Sequence, residues 1–292
     1  MAEFAYFRES DYEALRGFLV ELNRDSRDHI NWNWARLEWM YEHPEFDKSG
    51  AQTMGLWWEA GKVVGAALYD MYYGEGFCAV LPGHEALYPE VLCYAREHLK
   101  DDSGFGLAIE DGDYASITAA EAQGFRRAEQ TETILGINLE ERKEAALPAG
   151  FRFYELNPAK ESEEFAWLLW QGFDHGSDRE EFLREDDRRI QARPHLRPEL
   201  SLAVQNDRGE NAAYVCLWYD EAADYAYLEP VCTVPAFRGK GLAKAAISEA
   251  LNRGRALGAG RAYVISDMDF YKHLGFRQEK HFTFYWYANA AE

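Results

Sequence analysis

A chain of 292 residues with 31 basic and 51 acidic side chains carries a formal charge of −20, which repels a phosphate backbone and an anionic membrane surface alike and argues against nucleic acid or membrane as a partner. Apolar residues make up 47% and charged residues 28%, a balance that yields folded domains rather than disorder. At about 150 residues per domain, the length predicts two of them.

Four cysteines, Cys78, Cys93, Cys216 and Cys232, stand without any close pairing, so reduced buried thiols are expected and no metal site or disulfide framework. The first residues are acidic where a secretion signal needs a basic flank. No later stretch reaches the ~18 uninterrupted apolar residues of a membrane span. A cytoplasmic protein is the expectation.

In chain order, an extended apolar piece, Phe4 to Phe7, leads into acidic helical sequence. The tryptophans Trp32, Trp34, Trp39, Trp57 and Trp58 are predicted to fill the core and an interface between domains. Gly55 to Asp70 reads as two strands across a polar turn. A charged run from Glu140 to Gly150, holding Pro148, forms the best joint and separates predicted domains 1–145 and 150–292. Beyond it the plan repeats. Phe151 to Leu156 is again extended and apolar, and the strand pair ending at Asp220 lies 150 residues after the one ending at Asp70. The segment from Gly275 follows that from Gly124 by 151 residues, so the two registers agree. Within the second half, strands are predicted at 201–205, 212–219, 225–234, 262–266 and 280–287, with helices at 241–256 and 268–274. The longer helix carries an apolar stripe of Ala243, Ile247, Ala250 and Leu251. The fold class is α/β, a mixed α+β layer.

The informative stretch runs from Tyr227 to Lys244, where a strand passes through Pro235 into Arg238-Gly239-Lys240-Gly241-Leu242-Ala243 and then a helix. Two glycines at a helix start let the free amides of its first turn close on an anion, and Arg238, Lys240 and Lys244 add positive charge. Leu242 occupies the place of the magnesium-binding hydroxyl of a Walker loop, and Lys244 the place of the third glycine of a dinucleotide fingerprint, so neither motif is present.

This stretch resembles the GNAT superfamily of acyl-CoA-dependent N-acyltransferases, whose pyrophosphate loop reads Gln/Arg-x-x-Gly-x-Gly/Ala; Arg238, Gly241 and Ala243 hold its fixed positions. A second family block, Phe-Tyr-x-x-Leu-Gly-Phe, stands as Phe270 to Phe276, with Tyr271 33 residues after Arg238. The resemblance covers residues 151–288 and implies two tandem GNAT-like domains, each a mixed, mostly antiparallel sheet with helices on both faces. It implies acetyl-CoA as co-substrate. Backbone groups of Val231, Cys232 and Thr233 would pair with the pantetheine arm, and the loop from Arg238 to Lys244 (Gly239, Lys240, Gly241, Leu242, Ala243) would hold the pyrophosphate. Tyr271 would be the general acid at the thioester sulfur. Where the family often has an asparagine, this chain has Ser266, Asp267 and Asp269.

An amine acceptor needs a base, and Glu229 is the candidate. A period of two puts Tyr227, Glu229, Val231 and Thr233 on one strand face and Leu228, Pro230 and Cys232 on the other. Cys232 is read as an inert core thiol, His175 as a helix cap or a cleft-lining residue, and His273 as solvent-facing. In the first half the loop counterpart, Val80 to Leu87, has no Arg-Gly-x-Gly and places Glu85 where a phosphate would sit, and the tyrosine block counterpart, Ala119 to Phe125, has no tyrosine. That half is expected to be degenerate, a scaffold or one wall of the acceptor cleft. The expected activity is acetyl transfer to a primary amine of a small molecule or peptide by a monomer or homodimer. A non-catalytic acyl-CoA-binding or interaction module is the alternative.

Overall fold

In the computed structural model, which describes residues 2–184 and 194–289, the first half runs β1 (Glu3–Tyr6), α1 (Tyr12–Leu22), α2 (Trp34–Tyr41), β2 (Gly55–Glu59), β3 (Lys62–Tyr69), β4 (Glu75–Val80), α3 (Tyr88–His98), β5 (Gly104–Glu110), α4 (Tyr114–Ala122) and β6 (Arg126–Asn138). The second half follows the same plan through β7 (Phe151–Glu155), α5 (Ser162–Gly172), α6 (Arg179–Arg184), β8 (Ser201–Asn206), β9 (Asn211–Tyr219), β10 (Ala226–Thr233), α7 (Leu242–Ala256), β11 (Arg261–Ile265), α8 (Asp269–His273) and β12 (Arg277–Ala288). Every element predicted for the second half is present within three residues of its expected ends. The hairpin of β2 and β3 closes through Ala60 and Gly61, both at positive φ (51° and 79°), as a two-residue turn between twisted strands requires.

The twelve strands form one sheet in the order β1-β2-β3-β4-β5-β12-β6-β11-β10-β9-β8-β7. Each half lends its last strand to the other. β12 pairs with β5 from Phe282↔Glu110 to Ala288↔Gly104, β6 pairs with β11 from Arg261↔Asn138 to Ile265↔Ile134, and β6 and β12 pair with each other at the centre. The result has approximate two-fold symmetry. Among the described residues only β4 with β5 and β10 with β11 run parallel, each pair joined by a crossover helix, α3 or α7. The sheet is thus mixed and mostly antiparallel, as expected, but the two expected sheets are continuous. An edge strand leaves a row of backbone groups unpaired, and exchange covers the inner edges of both halves at once.

Helices cover both faces of the second half. On one face, Phe165 and Leu168 of α5 share a core with Tyr214, Cys216, Trp218 and Cys232, and this core runs on through the first half. On the other, α7 buries Leu242, Ala246, Ile247, Ala250 and Leu251. Its stripe begins at Leu242, leaving Ala243 half-buried at the loop rather than in the core as expected. The halves also meet through side chains. Arg16 pairs with Asp220 and Arg27 with Asp224, Lys280 Nζ donates to Asp28 at 2.7 Å, and Trp34 meets Trp218 edge-on at 6.1 Å. The fully buried Glu38 carboxylate accepts from the His195 backbone N–H at 2.8 Å and lies 2.6 Å from His195 Nδ1. The joint at 140–150 is fastened to α7: Lys143 N–H donates to Asn252 Oδ1 at 2.7 Å and Asn252 Nδ2 donates to the Lys143 carbonyl at 2.9 Å.

Strand exchange predicts how the halves behave apart. Expressed alone, 1–145 has no partner for β6 and 150–292 none for β12, so each is expected to lack a native near-ultraviolet spectrum and to regain it on co-refolding with the other. A cooperative thermal transition in either isolated fragment as a monomer would count against this account.

Candidate active site

β10 and β11 pair only at Ala226↔Ala262 and Tyr227↔Tyr263 and then part. From Leu228 onward β10 is bonded on its β9 side alone, and its other edge faces the gap. The same strand carries a bulge. Leu228 faces Leu217, but Val231 faces Val215, so three steps on β10 match two on β9. Pro230 has no N–H to give to a ladder, and the Glu229–Pro230 bond is cis. The Glu229 carbonyl accepts from the Trp218 indole Nε1 at 2.6 Å. The bulge reverses the alternation expected from a plain period of two. Tyr227 shares a core with Cys232, while Leu228 and Val231 pack on the opposite face. The equivalent strand of the first half, β4, pairs with β3 in unbroken register.

Glu229 and Tyr271 line one cleft of about 410 Å³ at the point of divergence, together with Tyr227, Val231 and Ile265. Tyr271 arrives there because β11 ends at Ile265 and a short turn, in which Met268 N–H donates to Ser266 Oγ at 3.2 Å, starts α8. The ring is held edge-on between Phe270 at 5.1 Å and Phe276 at 5.8 Å. Burial, reinforced by the Glu229 carboxylate, pushes the Tyr271 phenol up to about 12. Burial and the same carboxylate also raise Tyr227. Arg36 of α2 brings a cation to this region from the first half. Burial would pull its guanidinium down, but Glu132 at 3.1 Å and Asp70 at 3.0 Å hold it well above its ordinary value, and its field reaches Tyr227 and Glu229.

β10 leads from Glu229 through Val231, Cys232 and Thr233 into the glycine loop. Gly239 and Gly241 both take φ 76°, a region costly for any residue with a Cβ, and a Cβ at either would meet no protein atom within 4 Å. The bond from Ala245 N–H to the Gly241 carbonyl, at 3.1 Å, opens α7, so the amides of Leu242, Ala243 and Lys244 precede it and project from the helix N-terminus. This geometry can cradle an anion. Its basic side chains are placed differently from one another. Arg238 is a clamp: Nε donates to the Thr233 carbonyl at 3.0 Å, and Nη2 to the Gly172 carbonyl at 3.1 Å and to Asp174 at 2.8 Å. Lys240 lies over the Phe237 ring at 5.1 Å, and Lys244 is exposed. Cys232 is turned against α5, where it touches Gly172, and burial pushes its thiol up to about 12, which suits an inert core residue.

The first half diverges in the same way, β4 and β5 pairing only at Glu75↔Gly106 and Gly76↔Leu107. In its loop Glu85 accepts from the Gly83 N–H at 2.8 Å, and that bond holds its carboxyl below the ordinary carboxylate value.

Three cleft-lining residues, Trp39, His43 and Glu45, come from α2 and the turn after it. Reading the sequence placed Trp39 with the core tryptophans and gave His43 and Glu45 no role. Trp32, Trp34 and Trp57 are buried, whereas Trp39 is half-buried at the cleft. Phe173 and His175, after α5, complete that wall, and His273 is exposed. Among the described residues, no group of three or more His, Cys, Asp or Glu side chains is placed to hold a metal, and no helix is long and apolar enough to cross a membrane.

Residues 162–276 match the model of the acetyltransferase (GNAT) family. No curated protein matches the chain at a significant level. Among solved structures, a GCN5-related N-acetyltransferase from Sphaerobacter thermophilus is similar at 14% identity and a TM-score of 0.57, over 98% of this chain and 95% of that one. A tandem GNAT protein from the clavulanic acid biosynthesis pathway is similar at 15% identity and 0.60, over 100% of both chains. A GCN5-related N-acetyltransferase from Kribbella flavida is similar at 16% identity and 0.52, over 78% of this chain and 86% of that one. The whole chain therefore has the tandem GNAT fold.

The cradle makes a direct prediction. Gly241→Val strains the left-handed backbone and sets a branched side chain where the amides converge, so a calorimetric titration with CoA is expected to show at least a ten-fold loss of affinity. An unchanged dissociation constant would place the phosphate site elsewhere.

Proposed function

We propose that the second half transfers an acetyl group from acetyl-CoA to a primary amine of a small molecule by direct attack in a ternary complex, and that the first half has lost donor binding and serves as one wall of the acceptor cleft. One observation carries this reading: the Glu229 carboxylate of β10 and the Tyr271 phenol of α8 line the same cleft, and β10 leads directly into the glycine loop. The open edge of β10 and the open space above Gly239 and Gly241 suit a long donor ending in phosphates. The degenerate role of the first half rests on Glu85, a fixed anion in the loop that would have to bind one.

The thioester supplies an acyl carbon already activated toward amines. An amine reaches the cleft as an ammonium ion and cannot attack until it has lost a proton. Glu229, on the bulge, takes that proton. Tyr271 keeps its own proton throughout the neutral range, since its phenol titrates near 12, and gives it to the departing sulfur. Nitrogen sheds two protons between ammonium and amide: Glu229 takes the first, the second, released as the tetrahedral intermediate collapses, replaces the proton that Tyr271 gave to sulfur, and Glu229 passes its own to solvent, one proton per turnover. The −20 charge of the chain favours the approach of a cationic acceptor.

Two substitutions separate these roles. Tyr271→Phe is expected to lower kcat by about 10²- to 10⁴-fold with little change in CoA affinity and with the acid limb of the rate profile intact. Glu229→Gln is expected to depress the rate most at low pH and to recover as the free amine becomes abundant. Full activity in both variants would remove the assignment of acid and base. The absence of thiol release from acetyl-CoA with any amine would leave a binding module instead of an enzyme.

A further inference from the structure

The first half has a cavity of its own at the place where the second half has its glycine loop and Tyr271. About 240 Å³ in volume, it is bounded by Val80 at the end of β4, Glu85 of the loop, Tyr88 at the start of α3, Asp113 before α4, and Asp28 and His29 after α1. Those positions are the counterparts of β10, the glycine loop, α7, α8 and the segment after α5. The cavity lies at the end of the sheet where β4 and β5 part. Its chemistry is the reverse of the glycine loop's. Arg238, Lys240 and Lys244 belong to that loop, whereas three carboxylates and no Lys or Arg line this cavity. Lys280 of β12 pairs with Asp28 at 2.7 Å, but among the described residues Glu85 and Asp113 are in no ion pair.

Two further atoms face the space unused. Asp113 caps α4 through Oδ1, which accepts from the Ser116 N–H at 3.0 Å, while its Oδ2 makes no hydrogen bond among the described residues. The half-buried ring of His29 stands edge-on to Phe77 at 5.8 Å, and neither of its nitrogens has a hydrogen-bond partner among those residues. Burial pulls this imidazole below its ordinary value against the opposing pull of Asp113 and Asp28, so at neutral pH one of its nitrogens is an acceptor. A carboxylate beside an unused neutral acceptor suits a ligand that carries positive charge and N–H groups together. Among the described residues no three His, Cys, Asp or Glu side chains are placed to hold a metal, so a ligand with several N–H groups fits these acceptors and a bare ion does not.

We propose that the gap of the first half is a binding site for a small primary ammonium ion, whose N–H groups reach Asp113 and His29 and whose short alkyl stem lies along Leu22, Val80 and Ala119. The same carboxylates repel the phosphates of a donor, so the gap takes a ligand of opposite sign to the one proposed for the second half. This site is separate from Glu229 and does not depend on acetyl transfer.

The test follows the Cε1–H signal of the His29 imidazole by NMR in the full-length protein, assigned by its loss in His29→Gln and by its contact with the Phe77 ring. Added n-butylammonium chloride is expected to move this signal saturably at neutral pH. Tetramethylammonium chloride has the charge without an N–H, and 1-butanol has the stem without the charge; both are expected to leave the signal in place. Asp113→Asn removes the charge and keeps the helix cap, since Asn caps as well as Asp, so the variant is expected to fold. Its dissociation constant for n-butylammonium is expected to rise about ten-fold or more, the loss of one hydrogen bond to a charged group. No saturable shift with n-butylammonium, an equal shift with either control, or an unchanged dissociation constant in Asp113→Asn would each overturn the site and leave the assignment of Glu229 and Tyr271 standing.

Discussion

Parallel strands joined by a crossover helix can separate at one end without breaking the sheet, provided the backbone groups they release find other partners. In this protein β10 and β11 part after two residue pairs, and the rest of the second half is arranged around that gap. The bulge at Glu229 and Pro230 lies on the released stretch, where a missing N–H removes no bond to β11. The crossover helix must start at the same end of the sheet as the gap, which brings the cradle and the cleft together on one strand. Tyr271 reaches the gap from the other arm, because α8 follows directly from the end of β11.

The exchange of β6 and β12 sets how far the two halves can act alone. A gap within a sheet weakens it locally, and here the strand on the far side of the gap, β11, is braced along its other edge by β6 of the first half over all five of its residues. Glu132 on that strand is also a partner of Arg36, whose charge extends to Tyr227 and Glu229. The first half therefore contributes to the electrostatics and to the wall of the cleft, while its own strand equivalent to β10, β4, keeps unbroken register with β3.

The two halves hold two gaps and two loops, and a carboxylate is one mark of the difference between the loops. In the second half, Gly239 and Gly241 present left-handed backbone to open space. In the first, Glu85 already satisfies the Gly83 amide. An internal anion of this kind stabilises the loop at the expense of an external one, since a bound phosphate would face a charge of its own sign.

Much of this was legible in the residues themselves. Hydrophobic period and turn glycines depend on neighbours a few positions away, so strands, helices and the repeat could be placed from the sequence, and it was the resemblance of Arg238 to Ala243 and of Phe270 to Phe276 to family motifs that pointed to the loop and the tyrosine block. Three features were settled by tertiary structure. Which strand lies beside β6 is decided by backbone hydrogen bonds that any extended segment can make, so its sequence carries no label for the half it joins. The face on which a strand residue lies depends on the count of residues in the partner strand, and one extra residue at the bulge moved Tyr227 to the side of Cys232. Trp39, His43 and Glu45 look like ordinary helix-end residues in the sequence, and only the packing of α2 against β10 makes them the wall of a cleft more than a hundred residues away along the chain.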